Sequence, residues 1–388
     1  FCNSLVMGAS ILISQSVGAK KREDIGEYAG AMLKYNNIIP IFLCFFWMIF
    51  PKPVFMILGV SDNVMPLCLG YVRWYAPLFL LTGLGGSLGV ILQTSNYTKP
   101  LVVYGCVRSG LNIFLDWMLI FGNLGMPALG IEGAAIATVI AEYVGAIYIS
   151  IIFFTSKRLP TRPSWNDVKK GHFQSYLNAA KLGINIALED FAWNIGNLIL
   201  IRILNSINEY AAGIYTIIFG VEVLAVVIIG AIGSGTMTLT SEATGRKDLA
   251  QYKGITLCAY AVCTIVTVVM IVGAVLFPEQ ILSLFTSDKT VIASCGGYLL
   301  LIGINLFSKS GNIIIGNAIR GSGNTKWMLF TQIFGTIWIV SVASVLVFIC
   351  KLGIFGVVLA VILDEGVRAL INLGKYLRIV KKWGEWNG

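Results

Sequence analysis

Long apolar stretches separated by short clusters of charge dominate this sequence. A stretch of about 20 apolar residues is long enough to cross a hydrocarbon core about 30 Å thick. Eleven such stretches can be drawn, at approximately 1–17, 31–50, 66–92, 100–121, 130–155, 183–204, 210–241, 251–277, 291–319, 327–350 and 353–377. Charged residues make up only 12% of the chain, whereas a soluble domain carries about a quarter. The sequence therefore predicts an all-α integral membrane protein that crosses the bilayer many times.

Lysine and arginine residues are distributed unequally between the alternate loops of this predicted protein. One set of loops, together with the C-terminal tail, holds Lys20, Lys21, Arg22, Lys99, Lys157, Arg158, Arg162, Lys169, Lys170, Arg246, Lys247, Lys253, Arg320, Lys326, Lys375, Arg378, Lys381 and Lys382. The opposite loops hold only Lys52, Lys289 and Lys351. Because loops rich in Lys and Arg stay in the cytoplasm, the first set and the C-terminus are predicted to be cytoplasmic. We expect a multi-pass protein of the cell (inner) membrane, with the lipid bilayer as its partner.

The two halves of the chain resemble each other at a nearly fixed offset. GVILQTSNYTK (89–99) aligns with GNAIRGSGNTK (316–326) at an offset of 227 residues. After a shift of four residues, LGIEGAAIA (129–137) aligns with LGIFGVVLA (352–360). The first of these matched segments runs into a predicted cytoplasmic loop in both halves, which indicates parallel repeats. Parallel repeats are typical of secondary transporters built from two lobes.

The repeat also predicts the domain limits. We expect an N-terminal lobe at 1–155, a cytoplasmic linker at 156–181 and a C-terminal lobe at 182–388. The later part of the basic linker could form a helix on the anionic inner leaflet. The stretch 183–204 is the first span of the second half, and its counterpart would precede Phe1. We therefore expect two six-helix lobes, with eleven of the twelve helices in this sequence and an N-terminally truncated first lobe.

Several classes of protein are disfavoured by the residues present. The chain has one histidine, His172, and its eight cysteines form no CxxC pair, so we expect no zinc or haem site and no cofactor. A single histidine also makes a membrane-embedded enzyme improbable, because a hydrolytic or transfer site needs a cluster of reactive side chains. The sequence contains no GxxxxGK[ST] motif, which argues against a built-in ATP motor. The net charge of +9 is scattered over loops, which argues against nucleic acid as a partner.

Three segments resemble a known family. NIFLDWMLIFGNLGMPALGIEGAAIAT (112–138), SQSVGAKK (14–21) and LGINIALEDFAWNIGN (182–197) are similar to signatures of the multidrug and toxic compound extrusion (MATE) family, bacterial type. The resemblance covers essentially the whole chain, although many relatives have proline where this chain has Asn185. It implies export of cationic and amphiphilic small organic compounds in exchange for Na⁺ or H⁺, which would be the coupling ion. We expect such a transporter to be a monomer.

Asp116 is the strongest candidate for a coupling residue. An ionised carboxylate inside a membrane is costly, so intramembrane acids are functional candidates. Asn112 and Asp116 are four residues apart and share one helix face, where their oxygens could bind Na⁺ or the carboxylate could carry a proton. Their counterparts in the second half are Ile339 and Ala343, so only the first half retains these polar groups. The family resemblance adds Thr138 to this site. The alternative is a packing network in which Asp116 makes structural hydrogen bonds.

Acidic residues of the second half are the candidates for attracting a cationic substrate. They are Glu189 and Asp190, with Asn194 one turn later on the same face, and Glu222 in the next span. The alternative is a polar contact between helices. Asp364 and Glu365 lie four and three residues before Arg368, a spacing that predicts a local ion pair. Glu142, the repeat counterpart of Glu365, has no basic residue at such a spacing.

Two other functions compete with drug export. A flippase for lipid-linked oligosaccharide or peptidoglycan precursors would have a similar two-lobed shape. Its cavity should be richer in Arg and Lys, which bind pyrophosphate. The spans here are rich in acids instead, with few basic residues inside or near them, such as Arg108, Arg202, Lys309 and Arg368. The sequence therefore favours the exporter over the flippase, and both over an enzyme.

Overall fold

Helices account for almost all of the structure, a computed structural model that describes residues 2–207 and 210–387. Within those residues there is no strand. The α-helices are α1 (Cys2–Gly18), α2 (Arg22–Tyr35), α3 (Ile38–Ile49), α4 (Pro51–Ile57), α5 (Met65–Tyr75), α6 (Phe79–Thr94), α7 (Lys99–Phe121), α8 (Ile131–Thr155), α9 (Trp165–Lys170), α10 (Phe173–Asn205), α11 (Ala211–Arg246), α12 (Leu249–Leu276), α13 (Pro278–Ser283), α14 (Lys289–Gly321), α15 (Thr325–Ser344) and α16 (Gly353–Asn387).

The predicted apolar stretches all fall on these helices, so the predicted all-α membrane fold is confirmed. Seven helical segments of the described residues are long and apolar enough to cross a membrane by length and composition. α7 is not among them, because Arg108, Asn112 and Asp116 lower its mean hydropathy. α10 and α16 are also not among them, because both carry several charged side chains. Asn112 and Asp116, and Glu189, Asp190 and Asn194, thus lie in less apolar helices, whereas Thr138 and Glu222 lie in apolar spans.

The chain divides into two compact units, one ending at Ile184 and the other beginning at Asn185. We call them unit 1 and unit 2. The division lies inside α10, since no proline or glycine interrupts residues 173–182 and the helix that begins at Phe173 continues into the span. Residues 173–181 are thus helical and continuous with the rest of α10, and their placement on the inner leaflet stays a prediction. The predicted domain limits stay a prediction.

The rest of the segment that joins the halves packs closely on unit 1. Thr161 is fully buried, and its hydroxyl donates to the carbonyl of Ile91 at 2.9 Å. α9 begins with a capping box, in which the Ser164 hydroxyl and the Asp167 side chain each accept a bond from the other residue's backbone N–H. A Cβ on Gly30 of α2 would lie 2.5 Å from the Asp167 carbonyl oxygen, so the two helices touch through their backbones. This segment therefore packs as an integral part of unit 1.

Close contacts between helices show the repeat in three dimensions. A Cβ placed on Gly133 of α8 would lie 2.6 Å from the backbone oxygen of Leu119 on α7. In unit 2, a Cβ on Gly356 of α16 would lie 3.1 Å from Leu346, just beyond α15. Leu346 is Leu119 plus 227, and Gly356 is Gly133 plus 223. The two offsets found in the sequence therefore bring equivalent residues together in both units.

The backbone contact at Gly133 makes a first prediction. Gly133→Ala places a methyl group against a backbone atom that cannot move without separating α7 from α8, and such overpacking costs about 1–3 kcal/mol. We expect a lower melting temperature for the purified variant in detergent. Gly110→Ala is the matched control, because nothing lies within 4 Å of a Cβ at that position of α7. Equal melting temperatures for the two variants would contradict the close packing of α7 and α8.

Candidate functional site

Four side chains spaced four residues apart form a polar stripe along α7, consisting of Tyr104, Arg108, Asn112 and Asp116. Three of them bind α8. The Tyr104 hydroxyl donates to Glu142 Oε2 at 2.8 Å, and Arg108 forms an ion pair with Glu142 Oε1. Asn112 Nδ2 donates to Thr138 Oγ1 at 3.4 Å. The stripe therefore lies at the α7–α8 contact, where side chains of one helix find polar partners on the other.

The Arg108–Glu142 pair corrects the sequence analysis, which found no basic partner for Glu142. Spacing along one helix reveals only partners that lie one turn away on that helix. The partner lies on the neighbouring helix, 34 residues earlier in the chain, and only the helix register reveals it. Arg108 also lies over the ring of Tyr104, with its guanidinium carbon 5.8 Å from the ring centroid. Glu142 is thus held by two partners and is neutralised within unit 1.

Asp116 ends the stripe and differs from the other three residues. Its Oδ1 atom is buried and has no hydrogen-bond partner within the described residues. Buried polar atoms in native proteins are normally hydrogen-bonded, so an unpartnered carboxylate oxygen calls for a ligand or a proton. The described residues contain no cluster of three or more His, Cys, Asp or Glu side chains that could hold a metal ion. A Na⁺ at Asp116 would therefore depend on amide and hydroxyl oxygens such as those of Asn112 and Thr138.

Unit 2 replaces this polar site with apolar packing. The repeat counterparts of Asn112, Asp116 and Thr138 are Ile339, Ala343 and Val361. All three belong to or pack against one hydrophobic cluster, in which Ala343 is fully buried. A scaffold needed for the fold would be expected in both halves. The structure brings Asn112 and Thr138 together and places Asp116 one turn further on, and the assignment of these residues to coupling stays a prediction.

A cavity of about 360 Å³ lies within unit 2, between α10, α11, α14, α15 and α16. Its charged and polar lining residues are Glu189, Asp190, Lys309, Asn312, Asn317, Arg320, Thr331, Gln332, Glu365 and Arg368. Its aromatic wall is formed by Trp193 and Phe219, whose ring centroids are 6.2 Å apart. Cavities of this size accept small organic ligands. Charge of both signs thus faces one space inside the bundle.

Glu189 is buried beside the cavity and binds Arg320 through both carboxylate oxygens. Arg320 Nε donates to Oε2 at 3.3 Å, and a second guanidinium nitrogen pairs with Oε1. Arg320 does not lie in a loop, as predicted, but in the last turn of α14, which continues to Gly321 and places its side chain at the cavity. Polar residues at Asn305, Lys309 and Asn312 mark the same face of α14 at helical spacing, and that pattern could have revealed it.

Lys309 connects two carboxylates that come from different helices. Its Nζ lies 2.9 Å from Glu222 Oε1 and 3.8 Å from Glu365 Oε1. Asn305 Nδ2 also donates to Glu222 Oε1 at 2.9 Å. Glu222 is buried and does not line the 360 Å³ cavity, whereas Lys309 and Glu365 do. Lys309 therefore links Glu222 to the charged lining of the cavity.

The ion pair predicted within α16 is confirmed. Arg368 Nε and Nη2 donate to Asp364 Oδ2 at 2.9 and 2.7 Å, and Nη2 lies 3.1 Å from Glu365 Oε1. Two neutral residues that the sequence analysis did not single out complete the arrangement. Arg368 Nη1 donates to Gln332 Oε1 at 2.8 Å, and Asn312 Nδ2 donates to Glu365 Oε2 at 3.0 Å. All of these groups are buried.

The remaining substrate candidates lie on the exposed part of α10. Asp190 lines the cavity and is exposed. Asn194 is exposed, is not part of the cavity lining, and donates from Nδ2 to the backbone oxygen of Asp190 at 2.7 Å. Of the four predicted substrate residues, the structure thus places Glu189 and Asp190 at the cavity. Their part in binding a substrate stays a prediction.

Comparison with known proteins identifies the family. The family model described as MatE matches residues 1–118 and 185–346. The chain belongs to this family. Among its relatives is a probable multidrug resistance protein NorM of Thermotoga maritima, 27% identical over 98% of this chain and 80% of the relative. Another is an uncharacterized transporter, YisQ, of Bacillus subtilis, 24% identical over 95% of this chain and 80% of the relative. The resemblance noted in the sequence is confirmed, and the chain is a multi-span membrane transporter.

Solved structures of MATE transporters share this fold. One, described as the outward-facing conformation of a multidrug resistance MATE family transporter of the MOP superfamily, aligns with a TM-score of 0.89 at 20% identity, over 99% of this chain and 85% of the other. A MOP superfamily transporter from Pyrococcus furiosus aligns with a TM-score of 0.88 at 19% identity, over the same shares of the two chains. Its description attributes a different function to the reversed polarity of its binding pocket. At such identities the likeness shows the two-lobed MATE fold alone.

Proposed function

We propose that this protein exports cationic and amphiphilic organic compounds in exchange for a cation, Na⁺ or H⁺, that binds at Asp116. The observation that carries the proposal is the buried, unpartnered Oδ1 of Asp116 at the end of a polar stripe that unit 2 lacks. Several relatives are named multidrug resistance proteins, which supports drugs as substrates. MatE family membership supports transport rather than catalysis.

The coupling ion acts through a difference in affinity between two states of the transporter. Asp116 lies 17 residues from the start of α7, about 25 Å along the helix at 1.5 Å per residue. If Lys99 is cytoplasmic, Asp116 is nearer the outer face, where an incoming cation meets it first. Binding there removes the negative charge and gives Oδ1 a partner, which changes the packing of α7 on α8. Only an ion that binds one state more tightly can shift the equilibrium and drive release of the substrate.

The cavity of unit 2 is the proposed substrate site. Asp190 gives one wall a negative charge beside the Glu189–Arg320 pair, and Trp193 and Phe219 offer aromatic faces to an organic cation. A cation over an aromatic face gains about 0.5–2 kcal/mol, and more when it is desolvated. The volume of about 360 Å³ suits a small amphiphilic molecule.

A flippase remains the second candidate, and one observation favours it. Lys309, Arg320 and Arg368 all line the cavity, and three basic groups could bind a pyrophosphate. The Pyrococcus furiosus structure, described as having a pocket of reversed polarity, shows that pocket charge varies within this fold. Here, however, each of the three basic groups is bound to a carboxylate. A pyrophosphate would have to displace those carboxylates, whereas a cation binds beside Asp190, so we favour the exporter.

Neutralising Asp190 tests which kind of ligand the cavity accepts. We expect Asp190→Asn to weaken binding of a cationic dye such as ethidium by about tenfold, equivalent to about 1.4 kcal/mol. Asp190 is exposed, so the variant should fold normally. Glu279→Gln is the matched control, because it removes an exposed acid of unit 2 that is not part of the cavity lining. Fluorescence titration of the purified protein gives both affinities. Unchanged dye affinity, with tighter binding of a pyrophosphate-linked lipid, would favour the flippase.

A further inference from the structure

Seven side chains inside unit 2 form ion pairs with unequal charge. Glu222, Lys309, Asp364, Glu365 and Arg368 are linked to one another by ion pairs, and Glu189 pairs with Arg320 at the same cavity. We call these seven residues the unit-2 ion cluster. No side chain in it is more than 14% exposed. Four carboxylates face three basic groups, so one negative charge is left over if every group is ionised. An uncompensated charge buried in a membrane protein costs several kcal/mol, and such a group normally takes up a proton instead.

The hydrogen bonds identify the carboxylate that can hold this proton. Both oxygens of Glu189 bind Arg320, and both oxygens of Glu365 have donors. Glu222 accepts from Lys309 and Asn305 at Oε1, and its Oε2 is not among the buried atoms that lack a partner. In Asp364, however, both bonds from Arg368 go to Oδ2, and the buried Oδ1 has no partner within the described residues. A proton on Asp364 Oδ1 breaks no hydrogen bond of the cluster.

The surroundings of Asp364 Oδ1 favour a proton over a metal cation. Gly335 of α15 faces this atom, and a Cβ on Gly335 would lie 2.7 Å from it. Hard cations need several oxygen ligands at once, and Oδ1 is a single free oxygen facing backbone.

Charged and titratable groups face Asp364 from several helices. They are Tyr215 from α11, Lys309 from α14, and Glu365 and Arg368 from α16, and Glu222 of α11 is reached through its ion pair with Lys309. The facing residues of α15, Gln332 and Gly335, are neutral. Asp190 also lines the adjoining cavity but is exposed, so it does not belong to the buried groups counted here. The ionisable groups around Asp364, counted together with Asp364 itself, therefore carry the same excess of one negative charge as the whole cluster.

We propose that Asp364 is an exchangeable proton site of unit 2 that senses the charge of a molecule in the substrate cavity. Glu365 and Arg368 line that cavity and bind each other, and Arg368 binds Asp364. A cation bound beside Glu365 supplies the missing positive charge, so the cluster no longer needs the proton and Asp364 releases it. The proton leaves as the cation arrives, and charge in the cluster stays balanced. This inference does not depend on ion coupling at Asp116, because it concerns residues of unit 2 alone.

Two neighbouring variants separate a proton site from an ordinary ion pair. Asp364→Asn replaces a neutral acid by a neutral amide that keeps an oxygen for Arg368, so the melting temperature in detergent at pH 7 should stay near the parental value. Glu365→Gln removes an ionised partner of both Lys309 and Arg368, and it should lower the melting temperature strongly. If Asp364→Asn destabilises the protein as much as Glu365→Gln, or prevents folding, Asp364 is ionised and the proposal is wrong.

Proton release gives the second readout. Adding ethidium to the weakly buffered parental protein should release about one proton per bound dye, and Asp364→Asn should release none while Asp116→Asn still releases it. Infrared difference spectra should show loss of a protonated carboxyl group in the parental protein but not in Asp364→Asn. Release that persists in Asp364→Asn overturns the assignment. Dye binding that depends on Na⁺ at constant pH, and loses this dependence in Asp364→Asn, would show that the site takes a metal cation instead.

Discussion

Replacing Asp116 by asparagine is expected to abolish gradient-driven export and to leave dye binding within a few-fold of the parental value. Asparagine nearly keeps the shape of the side chain but can neither carry a proton nor bind a cation through charge. Coupling free energies between two sites are typically about 1–3 kcal/mol, which corresponds to a change of about 5–150-fold. The variant should therefore lose the response to an imposed gradient in proteoliposomes. Its cavity in unit 2 contains none of the altered atoms, so ethidium titration should still saturate.

Glu132→Gln is the control for this experiment. Glu132 is a half-buried acid in the first turn of α8 and accepts a bond from Trp74 Nε1 at 3.1 Å. Removing its charge changes unit 1 without touching the polar stripe, so export should stay near the parental rate. Export by Asp116→Asn at the parental rate under a gradient would contradict the coupling role of Asp116. Equal loss in both variants would show that export responds to any change of charge in unit 1.

The largest effect on stability is expected from Lys309→Met. Lys309 is buried and neutralises Glu222 and Glu365 from its central position in the ion cluster. Removing one partner of a buried ion pair leaves a charge uncompensated and costs about 3–5 kcal/mol. Thermal unfolding of the purified protein should show a large fall in the melting temperature. Lys289→Met is the control at the exposed start of the same helix, where the lysine has no ion pair within the described residues.

A double variant tests whether charge or shape causes this loss. In Lys309→Met combined with Glu222→Gln, the main carboxylate partner is neutral, so much of the stability should return. A lost packing contact would not be restored by changing Glu222. If the double variant melts no higher than Lys309→Met alone, then uncompensated charge is not the reason for the loss.

The helices and the repeat could be predicted from the sequence because both depend on local pattern. Apolar stretches of sufficient length specify spans. The offsets of 227 and 223 relate the contact between Gly133 and Leu119 to the equivalent contact between Gly356 and Leu346. Asp116 could be recognised for the same reason, since Asn112 lies one turn away on its own helix. Family resemblance added Thr138, which lies on the next helix and does receive a bond from Asn112.

Partners between helices could not be predicted, because they depend on helix register. In unit 1 the cation that binds the repeated glutamate, Glu142, comes from α7, as Arg108, and Gly145 of α8 leaves space for Tyr104. In unit 2 the cation comes from α16, as Arg368, and packs against Gly335 of α15. Gly335 is the repeat counterpart of Arg108, and Arg368 is the counterpart of Gly145. The two halves thus build an arginine–glutamate pair from opposite helices, and the sequence alignment alone shows only mismatched residues.

The most direct measurement is export from proteoliposomes with a Na⁺ gradient and a pH gradient imposed separately. Ethidium and the coupling ion are followed in the same vesicles, for the parental protein and for Asp116→Asn. We predict that one of the two gradients drives ethidium export, that the ion moves in the opposite direction at a fixed ratio, and that Asp116→Asn abolishes both fluxes. Export that continues at the same rate with both gradients collapsed would contradict cation-coupled exchange.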